Sequence, residues 1–137
     1  MNQEQNLAIA QDLLSRIGQG ESPQQVAELF AENLEWNIPG DINALPWLGK
    51  RHGRQAVITF VERSQELIER KALEVHDILA NENRVIIVGA LISTYSPNNK
   101  DIETPFAISL TISDGVITNF LMLEDSFVVS QACRTEK

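Results

Sequence analysis

A single cysteine, Cys133, stands in the 137 residues, which excludes an intrachain disulfide and a CxxC-type zinc site and makes a reducing cytoplasm the expected compartment. Basic residues are scarce as well. Eleven Lys and Arg against nineteen Asp and Glu leave a formal charge of -8, so a phosphate-tracking surface would have to be built against the overall field, and nucleic acid is not an expected partner. No apolar run approaches the roughly 20 residues of a membrane helix, and the start MNQEQNLAIAQ lacks the basic segment and apolar core of a signal peptide. Neither export nor a membrane is therefore expected. The sequence also has no Gly-rich phosphate loop, no Gly-x-Ser-x-Gly elbow and no His, Cys or carboxylate cluster with metal-ligand spacing, so neither a cofactor nor a metal is implied.

What is present reads as one folded domain over residues 1–137: 43% of the chain is apolar and 22% charged, ordinary globular usage in a length that suits a single core. Leu7, Ala10, Leu13, Leu14 and Ile17 recur at the spacing of one helical face, and Gly18 and Gly20 follow as stop signals. Ser22, Pro23 and Gln25 predict the N-cap, first residue and capping-box partner of a short second helix. Leu34 to Ile38 alternates apolar and polar residues before Pro39-Gly40, which predicts a strand, and Asp41 to Arg51 reads as a loop. From Gly53 a helical period returns, with Val57, Phe60, Val61, Leu67 and Ile68 on one stripe and Glu62, Arg63, Glu66 and Arg70 opposite.

Beyond Lys71 the period falls towards two and β-branched residues dominate, which predicts strands. The first covers about Leu73 to Leu79, with a bulge near Asp77, and the second covers Val85 to Tyr95, with Gly89 marking a bend or a close backbone approach. In the third, Phe106, Ile108, Leu110 and Ile112 alternate with Ala107, Ser109 and Thr111. Asp114-Gly115 then turns the chain into Val116 to Glu124. The sum is an α+β domain in which three helices gather against a curved antiparallel sheet and enclose a pocket, giving a cone or cup.

The stretches Trp36-Asn37-Ile38-Pro39-Gly40, Leu45-Pro46-Trp47-Leu48-Gly49 and Gly53-Arg54-Gln55-Ala56-Val57 resemble the course of the SnoaL-like branch of the nuclear transport factor 2-like superfamily. The segment from Phe106 to Glu124, closing on Glu124-Asp125-Ser126, is similar to its last two strands. The resemblance implies the cup and leaves its contents open, since that superfamily holds isomerases, cyclases, dehydratases, epoxide hydrolases and plain binding domains. Ketosteroid isomerases of this fold carry an aspartate base before the proline ending the first strand, where this chain has Ile38, and a tyrosine on the first helix, where it offers Leu13 and Leu14. The paired histidines of the dehydratases and the Asp-Arg-Asp set of the epoxide hydrolases also lack counterparts. In SnoaL-like polyketide cyclases the acid/base aspartate ends the last strand, a position that Asp125 matches.

Asp125 is thus the candidate catalytic acid/base, and it is equally placed to cap a helix over Phe127 to Cys133. Glu124, one residue earlier, must point to the opposite face if the strand stays regular, so only one of the two enters the cup. Trp36, Trp47, Phe60 and Leu121 are the candidate ligand-binding wall, because strand, loop and helix bring them together in the expected fold. His76 alternates with core positions, which suits a solvated strand face. His52 belongs to the basic cluster Lys50-Arg51-His52-Gly53-Arg54, which reads either as a solvated helix entry or as a rim attracting an acidic substrate. Tyr95 is expected at a strand edge. Two functions fit: a small-molecule-binding protein acting as a cofactor-free isomerase or cyclase on a hydrophobic, oxygenated substrate, or a non-catalytic dimeric binding or interaction module. In either case the apolar surplus between Val85 and Leu123 predicts a homodimer through the exposed sheet face.

Overall fold

The computed structural model describes residues 2–134. Helix α1 (Gln3–Gly18) starts at a capping box formed by Asn2 and Gln5, and α2 (Pro23–Ala27) starts at a second one formed by Ser22 and Gln25. Strand β1 (Phe30–Ile38) and the short β2 (Gly49–His52) lead into α3 (Gln55–Leu67). Four long elements then follow as β3 (Ile68–Ala80), β4 (Arg84–Tyr95), β5 (Lys100–Ser113) and β6 (Val116–Glu124), with α4 (Ser126–Ala132) closing the chain. The fold class is α+β as the sequence predicts, with the strands in one curved, unclosed sheet of order β2-β1-β6-β5-β4-β3.

Four features depart from the expectation. The sheet is mixed rather than antiparallel throughout, because β1 runs parallel to β6; a strand from the first half of the chain can lie beside the last only by a long crossover, and the pattern of a strand does not encode its direction. The predicted loop after Pro39 contains β2, whose Lys50, Arg51 and His52 are all exposed and so carry no alternation to read. Among the described residues helices number four, since α4 is a full element. Helix α3 also ends earlier than its periodicity suggests. Ile68 turns to φ -127°, ψ 130° and begins β3 with no intervening loop, so Ile68 and Arg70 belong to the sheet. No Gly or Pro marks that junction in the sequence.

Register assigns the faces. Val85, Ile87, Leu110, Phe120 and Trp36 lie on the side covered by the helices and are buried to within 6% of full exposure loss or better. Residues between them, such as Ile86, Val88, Ala107 and Ser109, face the opposite, convex side and are half-buried. The predicted bulge is present, as the β3/β4 register slips between Val75 and Asp77. Gly89 sits opposite it, and a Cβ there would collide with the Glu74 carbonyl oxygen and press on the Phe106 ring. Only glycine lets the strands approach this closely, and the sheet bends at that point.

Helix cover over the concave face is uneven. Around Trp36 it is complete. Towards β3 it thins, leaving Leu73 55% and Val75 38% exposed, although both share a face with buried core through their partners Leu91 and Gly89. Leu91, Ile108 and Met122 on the same face are half-buried.

Candidate functional site

Trp36 is the hub of the aromatic interior. Its indole stacks on Phe120, its cross-strand neighbour on β6, with centroids 4.3 Å apart and planes 10° from parallel. It also meets Phe60 of α3 at 5.6 Å, and Phe60 in turn takes the edge of Trp47 at 5.7 Å and 86°. The Trp36 Nε1–H, which burial would otherwise leave unpaired, donates to the Trp47 carbonyl oxygen at 3.2 Å. The Pro46-Trp47 loop is thereby clamped over the strand.

Three of the four residues expected to form a wall, Trp36, Trp47 and Phe60, are therefore brought together. Leu121 is not among them. It pairs with Asn37 one step beyond the Trp36–Phe120 pair, and that single step places it on the convex face with Ser109 and Ile86. Phe120 occupies the inward position instead.

The same parity separates the two carboxylates at the end of β6. Phe120, Met122 and Glu124 alternate on the concave face, and Glu124 pairs with buried Phe106 of β5. Burial pushes the Glu124 carboxyl up from 4.5 to about 7, with no cation or donor among the described residues to offset it. Asp125 is exposed. Its backbone N–H donates to the Thr104 hydroxyl at 2.8 Å, and its carboxylate accepts from the Val128 N–H at 3.1 Å as the N-cap of α4. The geometry assigns capping to Asp125 and the interior to Glu124, which corrects the expectation of Asp125 as the inward acid/base. The missed signal was legible in principle: two steps of two from the buried Phe120 lead to Glu124.

Around Glu124 the surroundings are sparse in charge. Cys133, buried at the end of α4, has its thiol pushed up to about 11 by burial, then by Glu124 and Asp41, so it is an inert neighbour at neutral pH. Tyr95 is buried rather than at an exposed edge; desolvation raises its phenol, with Cys133 adding to the effect. Asn98 holds α4 down by donating from Nδ2 to the Ala132 carbonyl oxygen at 2.7 Å. Asp41, exposed on the loop after β1, accepts from the Ser130 hydroxyl at 2.7 Å and from the Asn43 N–H, and these bonds hold its carboxyl below the usual range.

A second feature lies at the other edge of the sheet. Pro46, Trp47, Arg51, His52, Gln55 and Thr59 line a half-open cleft of about 200 Å³. His52 sits 2.8 Å from Glu35 through Nδ1, and both are exposed. His76 is exposed on β3, 3.7 Å from Glu74, so neither histidine reaches the aromatic interior. Among the described residues, no group of three or more His, Cys, Asp or Glu side chains is placed to hold a metal ion, and no helix is long and apolar enough to cross a membrane.

A curved, one-sided sheet wrapped around helices, with an apolar interior and a carboxyl at its end, defines a class of small cup-shaped α+β domains. The family model of the SnoaL-like domain matches residues 11–120, and the chain belongs to that family. A nuclear transport factor 2-like protein from Burkholderia xenovorans superposes with a TM-score of 0.87 at 23% identity, covering 98% of this chain and 99% of that one. TerC, crystallised with polyporic acid, gives a TM-score of 0.79 at 15% identity over 94% and 98% of the two chains. A candidate polyketide cyclase from Xanthomonas campestris pv. campestris gives 0.76 at 15% identity over 96% and 98%. At such identities the likeness establishes the fold alone. No curated protein matches the sequence.

Proposed function

We propose that the protein binds a small, hydrophobic, oxygenated molecule on the uncovered part of the concave face and acts on it as a cofactor-free isomerase or cyclase, with Glu124 transferring the proton. The observation that carries this reading is the inward carboxyl of Glu124, set beside an apolar strip of Met122, Ile108, Leu91 and Val75 and brought by burial to about 7. A group balanced between its two forms near neutral pH can take a proton from a carbon next to a carbonyl and return it elsewhere. The aromatic hub around Trp36 gives the strip a rigid end wall.

TerC, co-crystallised with polyporic acid, and the candidate polyketide cyclase support small-molecule chemistry as a use of this fold. The lone buried cysteine suits a cytoplasmic setting. A homodimer is the second part of the proposal, because Leu121 and Leu123 of β6 join Ile86 and Val88 of β4 in an apolar convex surface that a second copy would cover. The same surface favours the non-catalytic dimeric module as the alternative.

The test begins with native mass spectrometry of the purified protein to identify a co-purified ligand. Deuterium incorporation into that ligand in D2O, followed by NMR, then reports proton abstraction directly. The wild type is expected to exchange a carbon-bound proton and Glu124→Gln to lose at least 100-fold in rate, the scale of a general acid/base contribution of about 10²–10⁴. Equal exchange by both proteins removes Glu124 from the mechanism, and no exchange by the wild type leaves the binding module.

A further inference from the structure

The cleft between the Pro46–His52 segment and the first turns of α3 has a chemistry opposite to that of the protein as a whole. The chain carries a formal charge of -8, yet no carboxylate lines this cleft, whereas Arg51 and His52 both do. Arg51 is positioned by the loop itself, its Nη2 donating to the Pro46 carbonyl oxygen at 2.7 Å and to the Leu48 carbonyl oxygen at 3.2 Å. Those bonds occupy one nitrogen of the fork and leave Nε and Nη1 as donors, and no Asp or Glu of the described residues pairs with it. The neighbouring basic side chains differ: His52 faces Glu35, and Arg54 faces Glu32 at 3.8 Å. Pro46, Trp47 and Ala56 supply apolar lining, and Gln55 and Thr59 supply an amide and a hydroxyl. The first turn of α3 has no side-chain cap, which adds a weak positive end to the same wall.

We propose that this cleft binds a small aromatic carboxylate, with the carboxylate on the Arg51 guanidinium and the ring against Trp47. Size sets the ligand class: a volume of about 200 Å³ exceeds the ~150 Å³ cavity that accepts a benzene ring and falls below the ~300 Å³ at which drug-sized ligand pockets begin. One ring with an acid group fills it. A planar fork recognises a carboxylate by paired N–H donors and an opposite charge, whereas an ammonium would be repelled by the guanidinium and a neutral amide would offer it a single uncharged acceptor. This site lies on the β2 edge of the sheet, is lined by none of the residues around Glu124, and stands or falls separately from the proton-transfer reading.

Benzoate is the probe, with benzamide as its uncharged counterpart, titrated into ¹⁵N-labelled protein at low ionic strength. Saturable shifts of the Trp47 indole and the Arg51 side-chain resonances are expected for benzoate, with a dissociation constant on the order of 1 mM for one ring and one ion pair on a half-open surface. Benzamide should bind at least tenfold more weakly. Arg51→Gln should lose at least tenfold in benzoate affinity, and Arg51→Lys, which keeps the charge without the fork, should fall between. Because Arg51 also braces the loop, Thr59→Leu gives an independent arm: it narrows the cleft without touching a charge and should abolish benzoate binding in a folded protein. Equal binding of benzoate and benzamide, retained affinity in Thr59→Leu, or shifts centred on Glu124 and Trp36 with Trp47 unmoved would each overturn the proposal.

Discussion

Replacing Glu124 by glutamine should make the protein more stable, and by an amount that depends on pH in a defined direction. Below pH 4.5 the carboxyl is protonated whether the chain is folded or not. Between 4.5 and about 7 the unfolded chain releases its proton while the folded chain keeps it, so wild-type stability falls through that window and levels off above it. At about 1.4 kcal/mol per pH unit the full loss is about 3 kcal/mol, an upper bound because Glu124 keeps some contact with water. Glutamine has the shape of the protonated acid and no charge to desolvate, so Glu124→Gln should melt with the wild type at pH 4.5 and about 10 °C above it at pH 8, using the ~2 cal/mol/K per residue entropy of unfolding. Thermal melts of both proteins at half-unit steps across that range read the effect directly. The other displaced groups titrate outside the window, since Asp41 lies below its usual value and Cys133 is pushed up to about 11. A melting difference that stays constant with pH to within about 2 °C would refute the buried, unpaired carboxyl on which the reasoning rests.

Asp125→Ala should cost about 1 kcal/mol, or roughly 3–4 °C in Tm, through loss of the α4 cap, while Asp125→Asn should stay within about 0.5 kcal/mol of the wild type; a larger loss in the Asn variant would show that the charge itself matters. Gly89→Ala forces a methyl into the Glu74 carbonyl and the Phe106 ring, so a destabilisation of about 2–3 kcal/mol is expected in denaturant melts, and a neutral result would mean that the strands are free to separate at the bulge. Leu123→Lys, at a convex position 49% exposed in the single chain, should halve the mass seen by light scattering with little change in the intrinsic fold; an unchanged dimer, or a wild type that is already monomeric at all concentrations, would remove the convex face as the interface.

Most of the architecture could be read from periodicity because the elements obey it. The Ser22–Gln25 capping box, the Gly89 approach and the bulge beside Asp77 correspond to local chemistry that a sequence displays, whereas the Asn2–Gln5 box was not read. Features that escaped are those set by partners distant in the chain. Nothing in Phe30 to Ile38 states that its neighbour will be parallel β6, and nothing in the exposed Lys50 to His52 states that it will pair at all. At the site the error was one of parity. Leu121 and Asp125 are odd steps from Phe120, and the structure keeps the even ones, Met122 and Glu124, on the inner face. Trp36, Trp47 and Phe60 do meet in the interior, because large aromatics in a small domain seek one another whichever route the loop takes.

The parallel pairing of β1 with β6 also has a consequence for the order in which the chain is made. Trp36 rests on Phe120, and at about 5–20 residues per second the ribosome delivers that partner on the order of 10 s after the tryptophan. Until then β1 can hold only the short, exposed β2 on one side, with Leu34, Trp36 and Ile38 lacking the strand that covers them. The hairpins of β3 to β6 need only near neighbours and can form as they emerge. The N-terminal third is therefore synthesised first and secured last. A nascent chain stalled before Ile117 presents the apolar face of β1 unpaired, and it is this interval, rather than the finished fold, in which the protein is most exposed to aggregation.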